Sequence, residues 1–194
     1  MGKITNYYNK FLVLDKANNF YSATKVGWTT KEEQEIRFEN LIDIGVSNED
    51  SILDYGCGVG HLIDYLQKIH LQVKYSGIDI FYKYIELAKI YYPNKNFYVA
   101  DIEQDRGIYD WVLASGVFSF DIKIEDIYKK IKLAMFKCNK GVAFNMLKEN
   151  EKFNKWGLNS FDEEKVYEKL KKYYKNVKLI NDYSEEDFTI HIFK

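Results

Sequence analysis

At 194 residues the chain has the length of one domain, and 46% hydrophobic content is enough for a core beneath an ordinary 29% of charged residues. A net charge of −1, with Arg37 and Arg106 the only arginines, gives no general pull toward DNA or RNA and little of the guanidinium chemistry that reads phosphates and base edges. Two cysteines, Cys57 and Cys138, make neither a disulfide framework nor a metal site; no apolar run approaches the ~20 residues of a membrane span, and a reducing cytoplasmic setting is the expectation.

Along the chain, residues 1–28 are aromatic and without a clear period. Thr30-Lys-Glu-Glu33 then reads as a capping box, opening a helix with Phe38, Leu41 and Ile42 on one side that ends near Gly45. From there the alternation is regular. Strands are expected at 51–55, 73–79, 97–100, 110–115 and 140–147, and helices at about 60–69, 82–91, 123–137 and 160–174. The lysine-rich stretch at 165–178 is interleaved with Tyr167, Leu170, Tyr173 and Val177, which makes it an amphipathic helix with a solvated face. Two further strands, Asn176–Tyr183 and Asp187–Phe193, are separated only by Ser184-Glu185-Glu186, a link that permits an antiparallel hairpin and forbids a crossover. The pattern predicts an α/β fold: one domain over 1–194, with 1–45 as a cap segment and helix and 46–194 as the core.

Three motifs stand in register on the first three strands. Ser51-Ile-Leu-Asp54-Tyr-Gly56-Cys57-Gly58-Val-Gly60-His61 is an apolar strand ending in an acid, followed by alternating glycines and a helix start. Bare backbone at such a turn lets a ligand approach closely, and His61 stands where the dinucleotide fingerprint needs its third glycine. About twenty residues on, Gly77-Ile78-Asp79-Ile80 ends a second strand in an acid that can accept hydrogen bonds from both hydroxyls of a ribose; capping of the next helix is the plainer alternative. Phe97-Tyr-Val-Ala100-Asp101-Ile102 ends the third strand in the same way.

Together these motifs resemble those of the class I S-adenosylmethionine (SAM)-dependent methyltransferases. The resemblance runs motif by motif over about residues 51–147 and elsewhere by topology. It implies a three-layer Rossmann-like fold with a mostly parallel seven-stranded sheet ending in an antiparallel hairpin. It also implies SAM as cofactor and S-adenosylhomocysteine (SAH) as product. Carried over, Gly56, Cys57 and Gly58 form the cofactor loop, with Cys57 a small residue between glycines. Asp54 organises that loop, either through water to the SAM amino group or by bonding loop amides. Asp79 holds the ribose, Ile80 packs on the adenine, Asp101 receives the adenine amino group and Ile102 flanks the ring. Ser115, after the fourth strand, lines the pocket where the methyl should lie. Arg37 pairs either with the methionine carboxylate or with Glu33 or Glu35 at the surface.

The acceptor side is less specified. Trp28, Asn145 and Tyr183 are candidate acceptor contacts, with plain packing the alternative for Tyr183. Ala114-Ser115-Gly116-Val117-Phe118 replaces the Asn/Asp-Pro-Pro-aromatic motif of exocyclic-amino DNA methyltransferases. Neither cysteine adjoins Pro93, as a cytosine C5 nucleophile would require, and the paired acids of aminopropyltransferases are absent. The expected acceptor is a small molecule or glycan unit. An RNA or DNA methyltransferase is the runner-up, followed by a non-catalytic SAM-binding module and then a nicotinamide dehydrogenase. His61 is expected to face solvent, His70 to end a helix and His191 to alternate within the last strand; no metal is implied, and neither general base nor oligomeric state is legible.

Overall fold

The computed structural model describes residues 30–120 and 122–194. Helix α1 (Lys31–Ile42) starts at the capping box: the Thr30 hydroxyl accepts the Glu33 N–H at 3.1 Å, and the Glu33 carboxylate answers the Thr30 N–H at 3.3 Å. Strand and helix then alternate through β1 (Ser51–Tyr55), α2 (His61–Lys68), β2 (Lys74–Asp79), α3 (Tyr82–Tyr91), β3 (Asn96–Val99), β4 (Tyr109–Ala114), α4 (Ile124–Phe136) and β5 (Cys138–Leu147). A short α5 (Glu151–Lys155), capped by Asn150, precedes α6 (Glu163–Lys171), β6 (Asn176–Ile180) and β7 (Asp187–Phe193). The sequence shows no expectation of α5, because five residues are too few for a hydrophobic period to emerge.

The seven strands form one sheet in the order β3-β2-β1-β4-β5-β7-β6. The pairs from β3 through β5 are parallel, while β7 runs antiparallel to both β5 and β6. The hairpin is present, although β6 ends at Ile180, so its connection runs through 181–186 and is longer than expected. No helix among the described residues is long and apolar enough to cross a membrane.

Side-chain alternation divides the core between two faces. Leu53, Val112, Phe144 and Ile190 pack with Ile127 and Ile131 of α4 and Leu170 of α6 on one side. On the other, Ile52, Leu113 and Ala143 pack with Phe38 and Leu41 of α1 and Leu62 and Leu66 of α2. Strand order reverses between β1 and β4, so the connections leaving those strands diverge and open a crevice beyond their carboxyl ends.

Candidate functional site

The loop leaving β1 is held to the end of β2. Gly56 and Cys57 both donate their N–H groups to the Ile78 carbonyl, at 2.8 and 3.0 Å. The Gly58 N–H donates to Asp79 Oδ2 at 3.0 Å. Gly56 has φ 76°, a left-handed conformation, and a Cβ there would lie 2.4 Å from Val117 Cγ2, so the first glycine is required twice over. Cys57 packs its buried sulfur over Gly77, where an added Cβ would lie 2.9 Å away; burial pushes its thiol up, and it is a packing residue rather than a nucleophile.

Asp79 ends β2 with both oxygens engaged, Oδ1 accepting the Phe81 N–H at 2.8 Å. Helix α3 begins after Phe81 without a side-chain cap on its first-turn amides, so Asp79 holds the residue before the helix rather than capping it. Each oxygen keeps a further lone pair. Burial is the main influence on its pKa, outweighing the Phe81 and Gly58 amides and raising it to about 6. Asp54 differs from expectation: its bonded partner is the Tyr75 hydroxyl, at 2.7 Å, while a loop amide goes to Asp79 instead. Burial, opposed by Tyr75 and aided by the neighbouring charge of Asp79, raises Asp54 to about 7. A buried Asp54 beside the charge of a half-buried Asp79 makes a pair that favours a cation as its ligand.

Asp101 sits at the end of β3, clamped by the Lys130 ammonium at 2.5 Å on Oδ2 and by the Tyr55 hydroxyl at 2.8 Å on Oδ1. Burial would raise its pKa, but Lys130 and Tyr55 bring it below the ordinary value. Ile80 is 48% exposed at the crevice end of β2, free to cover a flat ligand. Ile102 is not: it is 0% exposed, packed in the core with Leu53 and Ile78, so its side chain presents no surface and only its backbone lies at the strand end.

A second group of polar residues crosses the α1 face from β4 to β7. Ser115 follows β4, and the Gly116 N–H donates to Asn145 Oδ1 at 2.9 Å. Asn145 on β5 stands directly opposite Thr189 on β7, whose hydroxyl meets Tyr183 Oη at 2.9 Å. Two of the residues expected at the acceptor, Asn145 and Tyr183, are thereby brought to one place through Thr189. Burial pushes the Tyr183 phenol up, so it stays protonated at neutral pH. Trp28 lies outside the described residues.

Helix α1 roofs this row. Arg37 is buried, and its guanidinium meets Asp187 at the start of β7 at 2.5 Å, not a surface glutamate. Burial raises Asp187 against the opposing charge of Arg37. A SAM carboxylate would therefore have to compete with an internal partner. His61 is likewise not at the surface: its Nδ1 lies 3.2 Å from Gln34 Nε2, and burial lowers its pKa to about 4, so it is neutral. His70, with φ 56°, is exposed just beyond the end of α2. At the far side, Lys148 donates to the Asn181 and Ser184 carbonyls at 2.6 and 2.7 Å, and Lys152 meets Glu186. The segment carrying α5 is thus tied to the β6–β7 connection beside the acceptor row.

A family model described as a methyltransferase domain matches residues 29–120, which hold the glycine loop and all three strand-end acids. Rv1506c of Mycobacterium tuberculosis, a methyltransferase by name only, is 28% identical over 164 residues, covering 78% of this chain and 97% of its own length. Among solved structures, the magnesium protoporphyrin IX methyltransferase ChlM from Synechocystis PCC 6803, with bound SAH, superposes with a TM-score of 0.69 at 16% identity, covering 99% of this chain and 94% of its own. The N-methyltransferase NodS from Bradyrhizobium japonicum WM9, also with SAH, gives 0.67 at 15% identity over 96% and 97% of the two chains. At such identities the structural likeness speaks for the fold, which is the Rossmann-like methyltransferase fold.

Proposed function

We propose that this protein, a class I SAM-dependent methyltransferase by its matched domain and its fold, transfers a methyl group to a small-molecule or glycan acceptor. The observation that carries the reading is the pair of carboxylates, Asp54 buried and Asp79 half-buried, beside a glycine turn at the point where strand order reverses. These residues fit SAM: the Gly56 turn brings the loop against Val117 and the β2 end where a Cβ would clash, and a cationic ligand relieves the repulsion between the acids. In this reading Asp79 accepts the ribose hydroxyls on its remaining lone pairs. Asp54 faces the ammonium end, Ile80 covers the adenine, and Asp101, held still by Lys130, receives the adenine amino group.

When bound, SAM supplies a methyl group already made electrophilic by its sulfonium. The chain's part is then to bind, align and exclude water. Helix α1, through Arg37 and Gln34, closes one side of the crevice, and Ser115, Asn145 and Tyr183 line the acceptor side. A neutral Tyr183 phenol and a neutral Asn145 amide orient an acceptor without drawing its proton, so the acceptor's own nucleophilicity carries the reaction. The small-molecule reading is supported by the enclosure of this polar row beneath α1 and by a net charge of −1 with two arginines. ChlM, by name, acts on a small molecule, magnesium protoporphyrin IX, and NodS is by name an N-methyltransferase.

The test has two stages. Calorimetry should give binding of SAM and SAH and no heat with NAD; the reverse would end the family assignment. Radiolabelled SAM incubated with the protein and a cell extract should then place label in a low-molecular-weight fraction. Label found in nuclease-sensitive material would instead select the nucleic-acid reading, whose several phosphate contacts would also show as a steep fall of affinity with salt.

A further inference from the structure

We propose that Asn145, with Ser115 beside it, binds a neutral oxygen of the methyl acceptor, which makes the acceptor an uncharged molecule presenting a carbonyl or hydroxyl to the end of β5. This deepens the acceptor reading above and rests on it. Asn145 is 1% exposed, and its Oδ1 is committed to the Gly116 N–H, which fixes the orientation of the carboxamide. Among the described residues, its Nδ2, carrying two donors, has no hydrogen-bond partner, and neither has the buried Oγ of Ser115. The two orphans belong to neighbouring strand ends, since Ser115 precedes the very residue whose amide Asn145 holds. Thr189, the cross-strand neighbour that could have served Asn145, is engaged by Tyr183.

Buried donors without partners cost free energy, and folded proteins leave few of them. Two together at the carboxyl end of adjacent strands, beneath a helix and beside the crevice, are a site made for something else to complete. The donor surplus fixes the chemistry of that ligand. Asn145 has spent its acceptor and kept both donors, and the Ser115 hydroxyl can add a third, so the matching group accepts hydrogen bonds. The charge balance narrows it further. Arg37, a guanidinium of α1, is paired with Asp187, so a carboxylate or phosphate would lie here without an uncommitted counter-charge. A carbonyl or hydroxyl oxygen meets the donors with no such cost.

The competing claimant on these donors is the carboxylate of the cofactor, and the experiment separates the two. In isotope-labelled protein, the side-chain amide resonances of Asn145 are assigned by through-bond correlation. Saturation with SAH should leave them in place, and the extract fraction that takes label from SAM should then move them. The variant Asn145→Asp keeps an oxygen for the Gly116 N–H while removing the donors. It should bind SAH within about threefold of wild type and lose roughly tenfold or more of label transfer, because a site built to donate rejects what it can no longer pair. Movement of the Asn145 resonances with SAH alone would overturn the proposal, as would a folded Asn145→Asp protein with unchanged transfer. If wild-type protein binds SAH but no low-molecular-weight fraction takes label, the acceptor reading falls first and this proposal with it.

Discussion

Replacing Asp79 by asparagine probes the site at its most connected atom pair. The carboxylate takes the Phe81 N–H on one oxygen and the Gly58 N–H on the other. An asparagine can keep the first bond, but its amide group then faces the Gly58 N–H, setting donor against donor. A hydrogen bond to a charged group contributes about 1.5–3 kcal/mol, so the loop should loosen by roughly that amount and the melting temperature should fall by several degrees. The same substitution removes the charge that a ribose and a cationic sulfur would meet, and at about 1.4 kcal/mol per factor of ten, SAM affinity should fall ten- to a hundredfold. The pH profile provides an internal check. Asp79 and Asp54, at about 6 and 7 without ligand, must ionise to receive a cation, so wild-type affinity for SAM should rise from pH 5 to pH 8 and protons should be released on binding. Asp79→Asn should flatten the lower part of that rise. Titration calorimetry at several pH values, in buffers of different ionisation enthalpy, measures both quantities. A folded variant whose SAM affinity stays within about threefold of wild type at pH 7.5 would refute the reasoning.

Asp54→Asn should stabilise the unliganded protein at alkaline pH. The folded-state pKa of Asp54 lies above its unfolded value, so its contribution is intact below about pH 4 and is lost as pH rises through about 7; the variant should gain about 2–4 kcal/mol over wild type at pH 8 and nothing at pH 4, read from denaturant midpoints. A gain of equal size at both pH values would show that ionisation is not its source. Arg37→Met strands the buried Asp187 carboxylate and should cost about 3–5 kcal/mol, whereas the double variant Arg37→Met, Asp187→Leu should recover most of it; an additive double-mutant cycle would show that the pair is not coupled.

The cofactor side of the site could be read from the sequence because every signal for it is local. Glycines 56, 58 and 60 and acids 54, 79 and 101 follow directly on apolar strand patterns, and a strand end fixes where its last residue stands. The acceptor side depends on contacts that no local pattern encodes. Arg37 and Glu33 are neighbours on one helix face, yet the guanidinium turns to Asp187, which only the insertion of β7 beside β5 brings within reach. His61 reads as a surface residue at a helix start until α1 is laid over it. Lys130 sits on an amphipathic helix like any solvated lysine, and only the packing of α4 against the sheet delivers it to Asp101. Thr189 and His191 did leave a trace: alternate polar residues inside an apolar strand mark the face under α1, where an isolated polar residue would not.

The roof over the site joins parts of the chain that are synthesised far apart. Arg37 meets Asp187 across 150 residues, and the Asn40 carbonyl meets His191 across 151. On the ribosome, β1 through β4 can emerge and pair with Phe38 and Leu41 of α1 already packed on β1 and β4, while Arg37 lacks Asp187 and the Asn40 carbonyl lacks His191 until β7 arrives. Contacts this distant in sequence are slow to form. The half that carries the glycine loop is therefore available to assemble early, and the half that carries Asn145 and Tyr183 is completed last, by the strand that slides in between β5 and β6.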